Sequence, residues 1–167
     1  MRKQKAEFVQ IIKDSEAIIH KITRVYAVGA EDQKDLYQEI VYQLWKSFDS
    51  FKGAAKISTW IYRIALNTAI THLNNEKRKR NHSAIDFNLV QLAEHTDDLK
   101  EEKIKILYAH IQELNLVERG LILLFLEGKS YDEMALITGF SVTNVGTRLG
   151  RIKQKLKAQI KKVDLWN

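Results

Sequence analysis

Residues 130–149 carry the sequence Ser130-Tyr131-Asp132-Glu133-Met134-Ala135-Leu136-Ile137-Thr138-Gly139-Phe140-Ser141-Val142-Thr143-Asn144-Val145-Gly146-Thr147-Arg148-Leu149. Ser130 followed three residues later by Glu133 is a capping box that starts a helix, and Ser141 is placed to cap the next one. Gly139 gives the backbone freedom that a short turn between them needs. Two helices joined so closely form a helix-turn-helix. Met134, Ile137, Val145 and Leu149 fall at spacings that bury them between the two helices, and Ala135 is small where the helices cross. Thr143, Asn144, Thr147, Arg148 and Arg151 then face outward, near the start of a helix able to enter a major groove. The competing reading is a plain helical hairpin whose second member is basic only for solubility. Capping box, turn glycine, small residue and buried valine all occur in register, which favours DNA binding.

Outward from this stretch, 167 residues suffice for one medium domain or two small ones. The chain has no proline, is 45% hydrophobic and 29% charged, and repeats its apolar residues at helical rather than alternating intervals. That combination predicts an all-α protein. It has no cysteine, hence no disulfide framework and no thiolate metal site, which fits a reducing cytosol. No apolar signal core follows Met1-Arg2-Lys3-Gln4-Lys5-Ala6-Glu7, and the longest purely apolar run, Leu121 to Leu126, is far too short to cross a bilayer. A soluble, cytoplasmic protein with no direct membrane insertion is expected.

The net charge of +6 is unevenly spread. From Arg148 to Lys162 stand Arg148, Arg151, Lys153, Lys155, Lys157, Lys161 and Lys162 with no acidic residue, and Lys77-Arg78-Lys79-Arg80 is a second basic cluster. Between them, Asp86, Glu94, Asp97, Asp98, Glu101 and Glu102 outnumber Lys100 and Lys103. Two surfaces for a polyanion joined by a segment that nucleic acid repels would look like this, although either cluster alone also reads as a solvated face.

Phe8, Ile11, Ile12, Ser15, Ile18, Ile19, Ile22, Val25 and Tyr26 trace one stripe, predicting a single long helix over 5–27 that Gly29 ends. Leu36, Ile40, Val41, Leu44, Trp45 and Phe48 predict a second over 32–48, and Ile57, Ile61, Ile64, Leu66, Ile70 and Leu73 a third over 57–78. These make a bundle. From Asn81 the periodicity fails and acidic residues accumulate, which reads as a flexible acidic linker on which Phe87, Leu89, Val90 and Leu92 are available for docking. Helices resume with Ile104, Leu107, Tyr108, Ile111 and Leu114, continue through Glu118 to Glu127, and finish with the helix-turn-helix. Two small helical domains are therefore expected, 1–80 and 103–167, joined by 81–102.

The third helix has an unusual face. Trp60, Arg63, Asn67, Thr71 and Asn74 recur at three- and four-residue intervals, so an aromatic, a cation and three hydrogen-bonding side chains share one side. Such a face suits an unpaired base, with Lys77 to Arg80 on phosphates. The alternative puts Trp60 in the core and leaves the others merely solvated.

Asp35-Leu36-Tyr37-Gln38-Glu39-Ile40 with Leu44-Trp45, then Phe51-Lys52-Gly53 leading into Thr59-Trp60-Ile61-Tyr62-Arg63-Ile64-Ala65-Leu66-Asn67-Thr68-Ala69, resembles region two of the extracytoplasmic-function (ECF) sigma factors of the bacterial sigma-70 family. Leu126-Glu127-Gly128-Lys129-Ser130-Tyr131-Asp132-Glu133-Met134-Ala135 and Gly139-Phe140-Ser141-Val142-Thr143-Asn144-Val145 resemble region four. The two halves stand in the family's order. The resemblance implies a transcription initiation subunit, without chemistry or cofactor of its own, that binds core RNA polymerase and promoter DNA. It implies docking on polymerase by Asp35, Gln38 and Glu39. The minus-10 element would be opened and held by Lys52, Lys56, Ser58, Trp60, Arg63, Asn67 and Thr71, with Lys77 and Arg78 beyond. The minus-35 element would be read by Thr143, Asn144 and Thr147, with Arg148, Arg151 and Lys153 on phosphates. Many members are restrained by membrane-bound anti-sigma factors, a partner class on which the residues themselves are silent.

The chain departs from the family pattern in places. Asn115 stands where members usually carry proline, so that helix start is expected to be less sharply set. Asn74 and Asn75 replace common basic residues. Gly146 and Gly150 interrupt the second helix of the helix-turn-helix at a cost of roughly 1 kcal/mol each against alanine, for close approach either to DNA or to a neighbouring helix. A stand-alone helix-turn-helix regulator would leave the Trp60–Asn74 face unexplained. A nucleic-acid enzyme finds no support either, since His20, His72, His82, His95 and His110 form no ligand spacing with carboxylates and no serine or tyrosine sits beside an obvious base.

Overall fold

A computed structural model describes residues 1–82 and 99–162, with the backbone alone given for 80–82 and 161–162. The candidate docking residues Phe87, Leu89, Val90 and Leu92, and most of the acidic stretch, lie outside the described residues. Among those described there are eight α-helices and no strand. They are α1 (Arg2–Asp14), α2 (Glu16–Tyr26), α3 (Ala30–Ser47), α4 (Ile57–His82), α5 (Leu99–Glu113), α6 (Leu116–Leu126), α7 (Tyr131–Thr138) and α8 (Val142–Lys162), with a short 3-10 turn, Phe48–Ser50, after α3.

The apolar stripes bury as their spacing implies. Ile19, Ile22 and Val25 of α2, Leu36, Ile40 and Leu44 of α3, and Ile61 and Leu66 of α4 fill the first bundle. Met134, Ile137, Val145 and Leu149 close the helix-turn-helix. Helix α6 has consecutive buried residues from Leu121 to Leu124, since it is enclosed by α2, α4, α5, α7 and α8. A helical stretch that is apolar all round, as these four residues are, has to be buried all round.

The first stripe is not one helix. The backbone breaks at Ser15 (φ −113°, ψ 7°), and α1 turns so that Phe8 packs edge-on against Trp45 and Phe48, at ring-centroid distances of 5.0 and 5.3 Å. The apolar spacing continues unbroken across the bend, so the pattern alone does not reveal it. At its far end α4 runs to His82, beyond the expected end of the third helix, and α5 begins at Leu99, before the expected start of the second domain. Trp45 and Ile57, both on expected core stripes, are each 44% exposed.

The start of α6 is sharply set after all. Asn115 accepts a hydrogen bond from Glu118 N at 2.9 Å while its own N–H donates to Glu118 Oε2 at 3.3 Å. This reciprocal cap satisfies two free backbone donors and does the work expected of a proline.

Candidate nucleic-acid interface

Helix α8 starts as the sequence implies. Ser130 Oγ accepts from Glu133 N at 3.1 Å and Ser130 N donates to Glu133 Oε2 at 3.2 Å, closing the capping box of α7. Gly139 is left-handed (φ 81°), and Ser141 Oγ accepts from Asn144 N at 3.1 Å to cap α8. With Val145, Leu149, Ile152 and Leu156 buried, Thr143, Thr147, Gly150, Arg151 and Gln154 are turned to solvent, and Asn144 and Arg148 are half-buried beside them. The two glycines separate here. A Cβ on Gly146 would lie 3.4 Å from the Tyr131 ring, whereas one on Gly150 would meet nothing within 4 Å, so no neighbouring helix explains Gly150.

Two of the three cations expected on phosphates, Arg148 and Lys153, already have partners, as does the neighbouring Lys155. Arg148 lies over the Phe140 ring at 4.5 Å and donates from Nε to Asn144 Oδ1 at 3.0 Å. Lys153 Nζ sits 3.8 Å from the centre of the Phe125 ring, and Lys155 Nζ pairs with Glu118 Oε1 at 2.7 Å. Lys153 and Lys155 thereby tie α8 to α6. Arg151 is left exposed on the outer face.

On α4 the exposed residues Arg63, Asn67, Thr71, Asn74 and Arg78 form a continuous stripe spanning roughly 22 Å at about 1.5 Å per residue. Lys77 is exposed as well. Trp60 is not part of the stripe: it is 7% exposed, stacked on Phe51 at 4.8 Å and tilted against Phe48 at 6.1 Å. Its ring is therefore closed to an incoming base, and what it holds is the base of the loop 51–56. That loop presents Lys52 and Lys56 to solvent, with Ser58 half-buried at its end and Gly53 at φ 72°. On the adjoining side of the helix, Glu39, Gln43, Asn67, Thr71, His72 and Asn75 line an open cleft of about 530 Å³ between α3 and α4. Asp35 and Gln38 are exposed on α3, while Glu39 is half-buried and accepts from Gln43 Nε2 at 3.0 Å.

Two polar helix faces in two helical modules, in this chain order, have counterparts in known proteins. Residues 12–79 match the family model for Sigma-70 region 2, and residues 104–156 match that for Sigma-70, region 4. The chain belongs to the sigma-70 family, in its ECF group. Among its relatives are RNA polymerase sigma factor SigV of Bacillus subtilis (strain 168), 28% identical over 96% of this chain and 95% of that protein, and the ECF RNA polymerase sigma-E factor of Escherichia coli (strain K12), 27% identical over 94% and 87%. The fold is shared with the sigma factor RpoE solved in complex with the anti-sigma factor NepR from Bartonella quintana (TM-score 0.72, 18% identical, 96% and 98% covered). It is shared too with CnrH solved in complex with the cytosolic domain of CnrY (TM-score 0.67, 21% identical, 95% and 90% covered). The chain is thus an RNA polymerase sigma factor that directs promoter-specific transcription.

The sigma factor's two halves are packed on each other. Tyr26 Oη donates to Leu116 O at 2.6 Å, across a gap where a Cβ on Gly120 would come within 2.9 Å of Tyr26 Oη. Lys21 pairs with Glu127 at 2.9 Å, Tyr62 Oη donates to Glu127 Oε2 at 3.5 Å, and Arg24 lies 4.2 Å over the Tyr108 ring. Burial pushes both phenols above their ordinary range, and the Glu127 carboxylate pushes Tyr62 further. Two residues of the expected minus-10 surface are drawn in. Arg63 donates from Nη2 to Leu136 O at 2.8 Å, and Lys56 approaches Glu133 at 3.9 Å. Sequence reasoning passed over this seam because its partners lie 65 and more residues apart, with no local signature.

Proposed function

We propose that this sigma factor reads the minus-35 duplex with the outer face of α8 and opens the minus-10 element with the stripe on α4 and the loop 51–56, while Asp35, Gln38 and Glu39 of α3 dock on core polymerase. Residues 1–80 would form the polymerase-binding and melting module and 103–167 the duplex reader, joined through 81–102. The chain catalyses nothing itself, the chemistry being the polymerase's, and it acts in the cytoplasm. Among the described residues no helix is long and apolar enough to cross a membrane.

The observation that carries this reading is the exposed run Asn67, Thr71, Asn74 and Arg78, continued by Arg63, whose types suit bases and phosphates and which, Arg63 with its bond to Leu136 O apart, no requirement of the fold explains. Melting costs a few kcal/mol per extruded base, so a surface that holds unpaired bases shifts the promoter toward the open form. Trp60 serves from behind, as the fixed base of the loop rather than as a stacking platform. The two elements, about 25 base pairs apart, span roughly 85 Å at 3.4 Å per pair. The packed arrangement, with Arg63 bonded to α7, cannot span that distance, so the halves separate on the polymerase.

Permanganate footprinting of the reconstituted holoenzyme is the test. Asn67→Ala with Thr71→Ala should slow the appearance of reactive thymines in the minus-10 element and leave upstream duplex protection intact. Loss of upstream protection with melting unchanged would overturn the assignment. By contrast, Arg151→Ala should weaken every promoter similarly and lower the salt slope by about one unit.

A further inference from the structure

Among the described residues, Arg148 is the one on the reading face whose side chain is hydrogen-bonded to another side chain of that face; Thr147 Oγ1, by contrast, donates to the backbone oxygen of Thr143. The Arg148 guanidinium carbon stands over the Phe140 ring, in the turn, at 4.5 Å from the ring centre, and its Nε–H donates to the Oδ1 of Asn144 one helical turn earlier. The ring below and the amide above fix the guanidinium, and the guanidinium in turn fixes the amide. Asn144 is further anchored by the bond from its backbone N–H to Ser141 Oγ. A free asparagine offers a base edge both an acceptor and a donor, which is why it pairs well with adenine. Here a charge-assisted bond already takes one of the two lone pairs of Oδ1 and fixes the amide, so the two N–H donors of Nδ2 are the groups it presents unengaged to the groove.

We propose that Arg148 is a positioning residue for base readout, locking Asn144 as a hydrogen-bond donor so that α8 selects a base presenting acceptors at that position. Guanine, with N7 and O6, satisfies both donors, while thymine through O4 and adenine through N7 satisfy one. Cytosine, whose exposed group is the N4 donor, faces donor against donor and is rejected. The inference rests on α8 being the minus-35 reader and assigns Arg148 a role other than phosphate contact.

The test is multi-round transcription by core polymerase and the full chain from templates randomised across the minus-35 element, with transcripts sequenced. The native chain should show one column favouring guanine or thymine over cytosine on the order of tenfold. Asn144→Ala should flatten that column alone. Arg148→Met, which keeps the stem over Phe140, should admit cytosine in the same column, and the double variant should be no flatter than either single one. Arg148→Lys retains the charge without the Nε donor, so the column should relax while the salt slope stays native. Melting curves of each variant separate loss of fold from loss of selectivity. If both Arg148 variants kept the column, or Arg148→Met weakened all sequences alike and Arg148→Lys restored them, Arg148 would be a phosphate contact and the proposal would fall. If the native chain selected no upstream base at all, the parent assignment of α8 would fall with it.

Discussion

Tyr26 shows how much a single contact decides here. Its hydroxyl is buried and bonded to Leu116 O, and the absence of a side chain at Gly120 makes the room. Gly120→Ala would place a methyl 2.9 Å from Tyr26 Oη and 3.5 Å from Leu66 Cδ2. The pinned phenol cannot swing away, so this overpacking should cost about 1–3 kcal/mol in urea unfolding. Tyr26→Phe should recover much of that loss in the double variant, because Leu116 O retains its helical partner; additive losses would show the seam to be looser than described. The same residues set an alkaline limit. Because burial raises Tyr26, and burial together with Glu127 raises Tyr62, the neutral phenols stabilise the fold. That contribution is intact below the ordinary tyrosine pKa of about 10 and is lost as pH rises beyond it. The unfolding midpoint should fall above about pH 10, less steeply in Tyr26→Phe with Tyr62→Phe; equal slopes would remove the phenols as the cause.

Among the elements, α7 and α8 were legible from the sequence because their signals are local. Ser130 with Glu133, Gly139 and Ser141 act within four residues, and each occupies its expected place in the structure. Helices α1 and α2 were not separable, since the contacts that go with the bend at Ser15 are made to Trp45 and Phe48, thirty or more residues away. The roles of Trp60, Lys153 and Lys155 escaped for a related reason: an aromatic or a lysine at helical spacing fits a ligand face equally well until its distant neighbours, Phe51, Phe125 and Glu118, are in place. Asn115 with Glu118 was readable as a capping box, and comparison with a family proline obscured it. Helix α8 also carries a glycine that the fold itself does not require. Gly150→Ala should raise the melting temperature, by the equivalent of about 0.5–1 kcal/mol, because the site is helical, exposed and open. A drop in stability would reveal a packing role; reduced promoter binding alongside greater stability would mean that DNA comes close at this point.

At the scale of the whole molecule, the two modules of the sigma factor share one apolar core, closed through α6, and hold Arg63 and Lys56, part of the proposed minus-10 surface, against α7. The chain has no cysteine, so labels introduced at Asn67 and Leu136 report on this seam alone. Pulsed spin-label distances should be short in the free protein and longer by tens of ångströms in the promoter-bound holoenzyme, as the spacing of the two elements requires. Unchanged distances would mean that only one element is engaged at a time. Above all stands the dependence on polymerase. Bacterial core enzyme, with and without the purified chain, should be given a fragmented genomic template and its transcripts mapped. New start sites sharing both a minus-35 and a minus-10 sequence should appear only when the chain is present. A core enzyme that neither retains the chain nor initiates at such sites would refute its role as an initiation factor, whatever DNA it binds alone.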